Sequence, residues 1–153
     1  MTRLEVPTAD GMHELGVRIG SALRAGDVVV LAGPLGAGKT TLTRGIGEAL
    51  SVRGPVTSPT FVLARTHPSL AGGPPLVHVD AYRLGSALEL DDLDIDFAGS
   101  VVVVEWGAGM VEGLVDDRLD VTIQRAAGGD DEDQPRVVTV EGFGARWADA
   151  LPV

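Results

Sequence analysis

Apolar residues recur at helical spacing at Met12, Leu15, Ile19 and Leu23. Asp10 can cap the start and Gly26 follows the last turn, so the pattern predicts a helix over about Asp10 to Arg24. Val28 to Ala32 is then uniformly aliphatic, as a strand covered on both faces of a parallel sheet should be. A glycine-rich loop leads into Lys39 to Leu50, a helix with Leu42, Ile46 and Leu50 on one face, and Gly54-Pro55 marks the loop after it. Gly45 and Gly47 inside that helix are expected to serve close packing.

Further strands are expected at Phe61 to Ala64, Leu76 to Val79 and Val101 to Val104, separated by breaker-rich or acidic connections. His67 to Pro75 is dense in proline and glycine and reads as a surface loop, and Ala87 to Phe97 as a short acidic helix or two. The last third alternates. Leu119 to Gln124 and Val137 to Glu141 predict a hairpin with an acidic, glycine-rich tip from Ala127 to Pro135, and Ala145 to Leu151 can form a closing helix with Trp147 in the core. The reading is α/β: a three-layer P-loop NTPase fold whose mainly parallel central sheet carries an added antiparallel edge hairpin.

The 153 residues, 44% hydrophobic, suit one domain over residues 1–153. Without cysteine there is no disulfide framework, thiolate metal site or cysteine nucleophile. A formal charge of -10 argues against a nucleic-acid surface of the chain's own, DNA included. The aliphatic runs are too short to cross a bilayer and the N-terminus has no apolar stretch after its positive charge, so no membrane is expected and the cytoplasm is the expected compartment.

The chemistry concentrates at Gly33, Pro34, Leu35, Gly36, Ala37, Gly38, Lys39 and Thr40, which read G-x-x-x-x-G-K-T, with Thr41 beside them. In such a loop the glycines let backbone N–H groups converge on phosphates, and the following helix presents its positive end to the same charge. Lys39 supplies a full charge at the β- and γ-phosphates and Thr40 a hydroxyl for Mg²⁺, so ATP with Mg²⁺ is the expected ligand. Lys39 is also the sole lysine: every other basic residue is an arginine, whose broad fork would not fill the place of a compact ammonium in a tight loop. The metal needs an acidic partner at the end of a neighbouring strand, and both Asp80 and Glu105 qualify.

Other features have plainer readings. Asp92, Asp94 and Asp96 mimic the start of a calcium loop, but Phe97 and Val103 stand where its glycine and bidentate glutamate belong. The run Asp130 to Asp133 is a solvated loop, and His13 and His67 lack partners at metal spacing. Trp106, beside a candidate metal ligand, serves packing or senses the nucleotide.

Taken together the chain resembles the TsaE family, also called YjeE, the small ATPases of bacterial tRNA threonylcarbamoyladenosine synthesis. Besides the phosphate loop, Val56 to Phe61 is similar to the family's V-x-S-P-T-[FY], His78 to Leu84 to H-x-D-x-Y-R-L, and Val104 to Trp106 to V-E-W. The resemblance implies that Glu105 joins Thr40 on Mg²⁺ and that Asp80 is a Walker-B-like residue needed for hydrolysis. It implies a switch loop bringing Ser58 and Thr60 to the γ-phosphate, Arg83 as a candidate finger in cis, and the loop around Thr8 and Ala9 packed on the base. It also implies TsaD and TsaB as partners, with tRNA met only through their complex. Pro34, Ala81 and Gly107 depart from the family's usual residues. A small-molecule or nucleotide kinase is an alternative, although neither long glycine-rich loop carries a lid arginine. A nucleotide-sensing switch without turnover is another.

Overall fold

The structure is a computed structural model describing residues 1–34, 36–57, 63–81, 84, 87–91, 93–106, 109–125 and 135–153. Leu35, Ser58, Thr60, Phe61, Arg83, Asp92, Gly107 and the run Asp130 to Asp133 lie outside the described residues. The elements are β1 (Thr2–Val6), α1 (Ala9–Ala22), β2 (Val28–Ala32), α2 (Lys39–Ala49), β3 (Ala64–His67), β4 (Leu76–Asp80), α3 (Ala87–Asp91), β5 (Val101–Glu105), β6 (Arg118–Arg125) and β7 (Arg136–Phe143). A 3₁₀ turn, Ala145–Trp147, follows.

One seven-stranded sheet runs in the order β1-β7-β6-β2-β5-β4-β3. Its middle is parallel, β6 with β2, β2 with β5 and β5 with β4. Both margins are antiparallel, β3 on β4 at one side and β7 then β1 at the other. The aliphatic strands β2, β4 and β5 lie in the middle because both their faces are covered. Alternation splits their side chains between two cores. Val29, Leu31, Val101, Val103 and Leu76 meet the α1 and α2 residues Met12, Leu15, Ile19, Leu42 and Ile46. Val28, Val30, Val77, Val79, Val102 and Val104 pack with Leu90 of α3 and Val111 on the opposite face.

Helices α1 and α2 cross closely because glycines face each other there. A Cβ at Gly45 would collide with the His13 carbonyl oxygen, and one at Gly16 with that of Leu42. The packing role expected of Gly45 and Gly47 is therefore seen, Gly47 lying under Val56 and Val52.

Several boundaries differ from the sequence reading. Thr8, not Asp10, caps α1, its hydroxyl accepting the Gly11 N–H at 3.0 Å, while Asp10 lies in the first turn. Strand β1 was not expected. Only its pairing with β7 makes a strand of five residues that carry Arg3 and Glu5 on the exposed side. That pairing also covers the outer strand of the predicted hairpin. Strand β3 lies at Ala64–His67, so His67 belongs to a strand and not to the loop; it is buried, and its Nδ1 is 3.2 Å from the Arg53 carbonyl oxygen. The closing helix is the single 3₁₀ turn. Trp147 and Leu151 both lie against Gly142 of β7.

Candidate functional site

Strands β2, β5 and β4 finish at one rim, and parallel register decides which side chains share it. Leu31 is level with Glu105, and Glu105 with Asp80. Alternation along β5 and β4 puts both carboxylates on the face covered by α1 and α2. Each is buried, Glu105 5% and Asp80 7% exposed. Backbone bonds hold the rim: Trp106 N–H donates to the Leu31 carbonyl at 3.2 Å, and Ala81 N–H to that of Glu105 at 2.8 Å.

The loop from Gly33 to Gly38 joins β2 to α2 above this rim. Gly36 and Gly38 have φ of 77° and 112°, in the left-handed region that favours glycine. Gly38 is the N-cap of α2 and makes no side-chain capping bond, so no cap side chain competes for the first N–H groups of the helix. Ala37 is buried beneath the loop and Pro34 exposed on it. Thr40 and Thr41 follow in the first turn, both half-buried.

Lys39 is 6% exposed, unusual for a lysine. Its Nζ donates to the carbonyls of Gly33 at 2.6 Å and Pro34 at 3.2 Å, and lies 4.4 Å from the centroid of the Trp106 ring. Burial lowers its pKa below the ordinary lysine value, while the Glu105 and Asp80 carboxylates act in the opposite direction. The single cation of the loop and the two rim carboxylates therefore form one electrostatic unit. Trp106 reaches it through a left-handed backbone, φ 61°.

The start of α1 adjoins the loop, since a Cβ at Gly38 would stand 3.4 Å from the Met12 side chain. Thr8 and Ala9 lie one turn before Met12, and the Thr8 hydroxyl is engaged in capping. The structure thus brings together the loop, Lys39, Asp80 and Glu105, with Thr40 and Thr41 in the adjoining helical turn. Leu35 and Thr60 of the expected site lie outside the described residues.

Two neighbours were not singled out for a role from the sequence. Arg125, at the end of β6, has its guanidinium beside the loop, with Nη2 3.5 Å from where a Cβ of Gly36 would be. No motif marks it, because the contact depends on β6 lying next to β2. His78, fully buried on β4, has its Nε2 2.8 Å from Glu105 Oε2. Its position two residues before Asp80 was the available signal, since that spacing shares a strand face.

Among the described residues no group of three or more histidine, aspartate or glutamate side chains is arranged to hold a metal alone. The donor set fits Mg²⁺, which takes one or two carboxylates and draws its other oxygens from water and phosphates. A helix N-terminus, a lysine and left-handed glycines fit phosphate for the same reason of charge.

The family model described as "Threonylcarbamoyl adenosine biosynthesis protein TsaE" matches residues 6–134. The chain belongs to the TsaE family. It is 64% identical over 142 residues to the tRNA threonylcarbamoyladenosine biosynthesis protein TsaE of Streptomyces coelicolor, covering 91% of this chain and 95% of that one. The TsaE protein of Bacillus subtilis is 42% identical over 125 residues, 81% of this chain and 75% of that one. Among solved structures, the crystal structure of Bacillus subtilis YdiB superposes with a TM-score of 0.73 at 32% identity, covering 95% of this chain and 88% of that one. Family membership agrees with the α/β architecture of a P-loop fold. No described helix is long and apolar enough to cross a membrane.

Proposed function

We propose that this TsaE-family chain binds ATP with Mg²⁺ and hydrolyses it as an accessory subunit in the formation of threonylcarbamoyladenosine on tRNA. The observation that carries the reading is the meeting of Lys39 with Asp80 and Glu105 where the 33–40 loop turns into α2. Lys39, released from the Gly33 and Pro34 carbonyls, would neutralise the β- and γ-phosphates. Thr40 and Glu105 would hold Mg²⁺, with Asp80 beside them as the Walker-B-like carboxylate; when bound, the ion neutralises charge building on the phosphate oxygens. Gly33 to Thr41 would cradle the phosphates, Thr60 would add a hydroxyl near the γ-phosphate, and Thr8 and Ala9 would flank the base.

The proposed partners are proteins of the TsaD and TsaB type in the cytoplasm, with tRNA handled by the complex. The net charge of -10 supports that division, because an acidic chain gains nothing from a phosphate backbone. Phosphate release from Mg-ATP, measured for the chain alone and with both partners from the same source, tests the proposal. Slow release that rises with the partners and disappears in Lys39→Ala and Glu105→Ala supports it. Binding of ATP without release under every combination overturns hydrolysis, and transfer of the phosphoryl group to an acceptor hydroxyl would instead identify a kinase.

A further inference from the structure

We propose that His78 is the positioning residue for Glu105, fixing the carboxylate that receives Mg²⁺. This inference rests on the reading of Glu105 as the metal-holding carboxylate. The Glu105 side chain has three rotatable bonds and stands at the end of a strand, where alternation fixes its face but not the place of its oxygens. His78 supplies the missing constraint. Its Nε2 lies 2.8 Å from Glu105 Oε2, and the imidazole has no solvent exposure. On β4 it is level with Val103 of β5, two residues before Glu105, so it supports the carboxylate from one layer deeper in the sheet.

The direction of the hydrogen bond follows from the partner. His78 Nδ1 is buried with no hydrogen-bond partner among the described residues. A carboxylate oxygen accepts, so in this contact the proton is on Nε2, which donates to Glu105. That bond commits Oε2 and leaves the second carboxylate oxygen uncommitted to His78. A carboxylate held through one oxygen by a rigid, strand-borne donor can present the other to a cation at no further cost in side-chain freedom. A histidine that only satisfied a buried carboxylate would affect stability; a positioning histidine also affects the metal.

The two roles separate in the Mg²⁺ dependence of ADP binding, measured by calorimetry with Mg²⁺ varied and again in EDTA. Glu105→Gln is the reference, and unfolding curves establish that each variant is folded. His78→Phe is expected to bind ADP in EDTA within about twofold of the unaltered chain while the Mg²⁺ midpoint rises about tenfold or more, the range typical of losing a ligand's supporting hydrogen bond. His78→Gln, whose amide nitrogen can reach the place of Nε2, should recover most of that shift. Should His78→Phe not fold, His78→Asn carries the comparison, because its shorter amide reaches only the place of Nδ1. An unchanged midpoint in the folded His78 variant, with Glu105→Gln shifted, overturns the positioning role and leaves Glu105 as the metal carboxylate. An unchanged midpoint in Glu105→Gln itself overturns the reading of Glu105, and the role of His78 with it.

Discussion

Lys39 and Trp106 meet as a cation over an aromatic face, with Nζ 4.4 Å from the ring centroid. The contact joins the 33–40 loop to the residue directly after Glu105. Phosphate that drew the ammonium away from the Gly33 and Pro34 carbonyls would change the field at the indole. In a Trp147→Phe background, which leaves Trp106 as the sole tryptophan, saturating Mg-ADP is expected to alter the emission, and Lys39→Ala to abolish the response. Nucleotide binding by calorimetry with no spectral change would show that Lys39 keeps its place over the ring.

Lys39 should also resist conservative replacement. Charge-assisted hydrogen bonds contribute about 1.5–3 kcal/mol each, so Lys39→Ala is expected to weaken ATP binding by about 10- to 100-fold. Lys39→Arg should restore little of it, because the guanidinium would have to occupy a site where only 6% of the native lysine is exposed. Full affinity in the arginine variant would refute a fitted ammonium site.

The crossing of α1 and α2 leaves no room for a methyl group. Gly45→Ala and Gly16→Ala each place a carbon against a backbone carbonyl of the other helix, which cannot swing aside. A loss of about 1–3 kcal/mol is expected in urea unfolding. Gly113→Ala, with nothing within 4 Å of the new carbon, is the control and should lie near the unaltered chain.

Arg146 ties the C-terminal segment to the end of α1. Its guanidinium donates to Asp27 at 3.0 and 3.1 Å and to the Ala22 carbonyl at 2.7 Å, and Asp27 is 5% exposed. Arg146→Ala leaves that carboxylate buried with the Arg24 N–H as a remaining donor. A cost of about 1–3 kcal/mol is expected, below that of a fully buried pair because Arg146 is partly exposed. A thermal midpoint unchanged in the alanine variant would contradict the tie.

Asp120 gives a pH dependence with a definite sign. Burial raises its pKa above the ordinary aspartate value of 3.8, against the lowering effect of Arg118. The folded state therefore favours the protonated form. The stability this contributes is present below the unfolded value and is lost as pH rises through the folded one. Asp120→Asn, which cannot ionise, should melt at a higher temperature than the unaltered chain near neutrality, with the gap closing as pH falls below the ordinary aspartate value. A gap that widens in acid would reverse the assignment.

The sequence by itself determined the elements whose signal is local. Met12, Leu15, Ile19 and Leu23 are buried as their spacing requires, and Val28 to Ala32 and Val101 to Val104 lie in strands because unbroken aliphatic runs of that length bury on both faces. The loop from Gly33 to Lys39 was legible because its glycines and lysine are required within a few residues of one another. Strand β1 and the position of β3 were not legible, since each takes its form from a single neighbour at a sheet margin. The closing segment forms only the 3₁₀ turn Ala145–Trp147, although its apolar pair Trp147 and Leu151 stands at helical spacing. Only the tertiary structure decided that Asp80 and Glu105 stand level on one face, that Arg125 lies beside Gly36 and that His78 reaches Glu105. Those contacts join residues far apart in the chain, and strand order and register, which no local pattern encodes, bring them together.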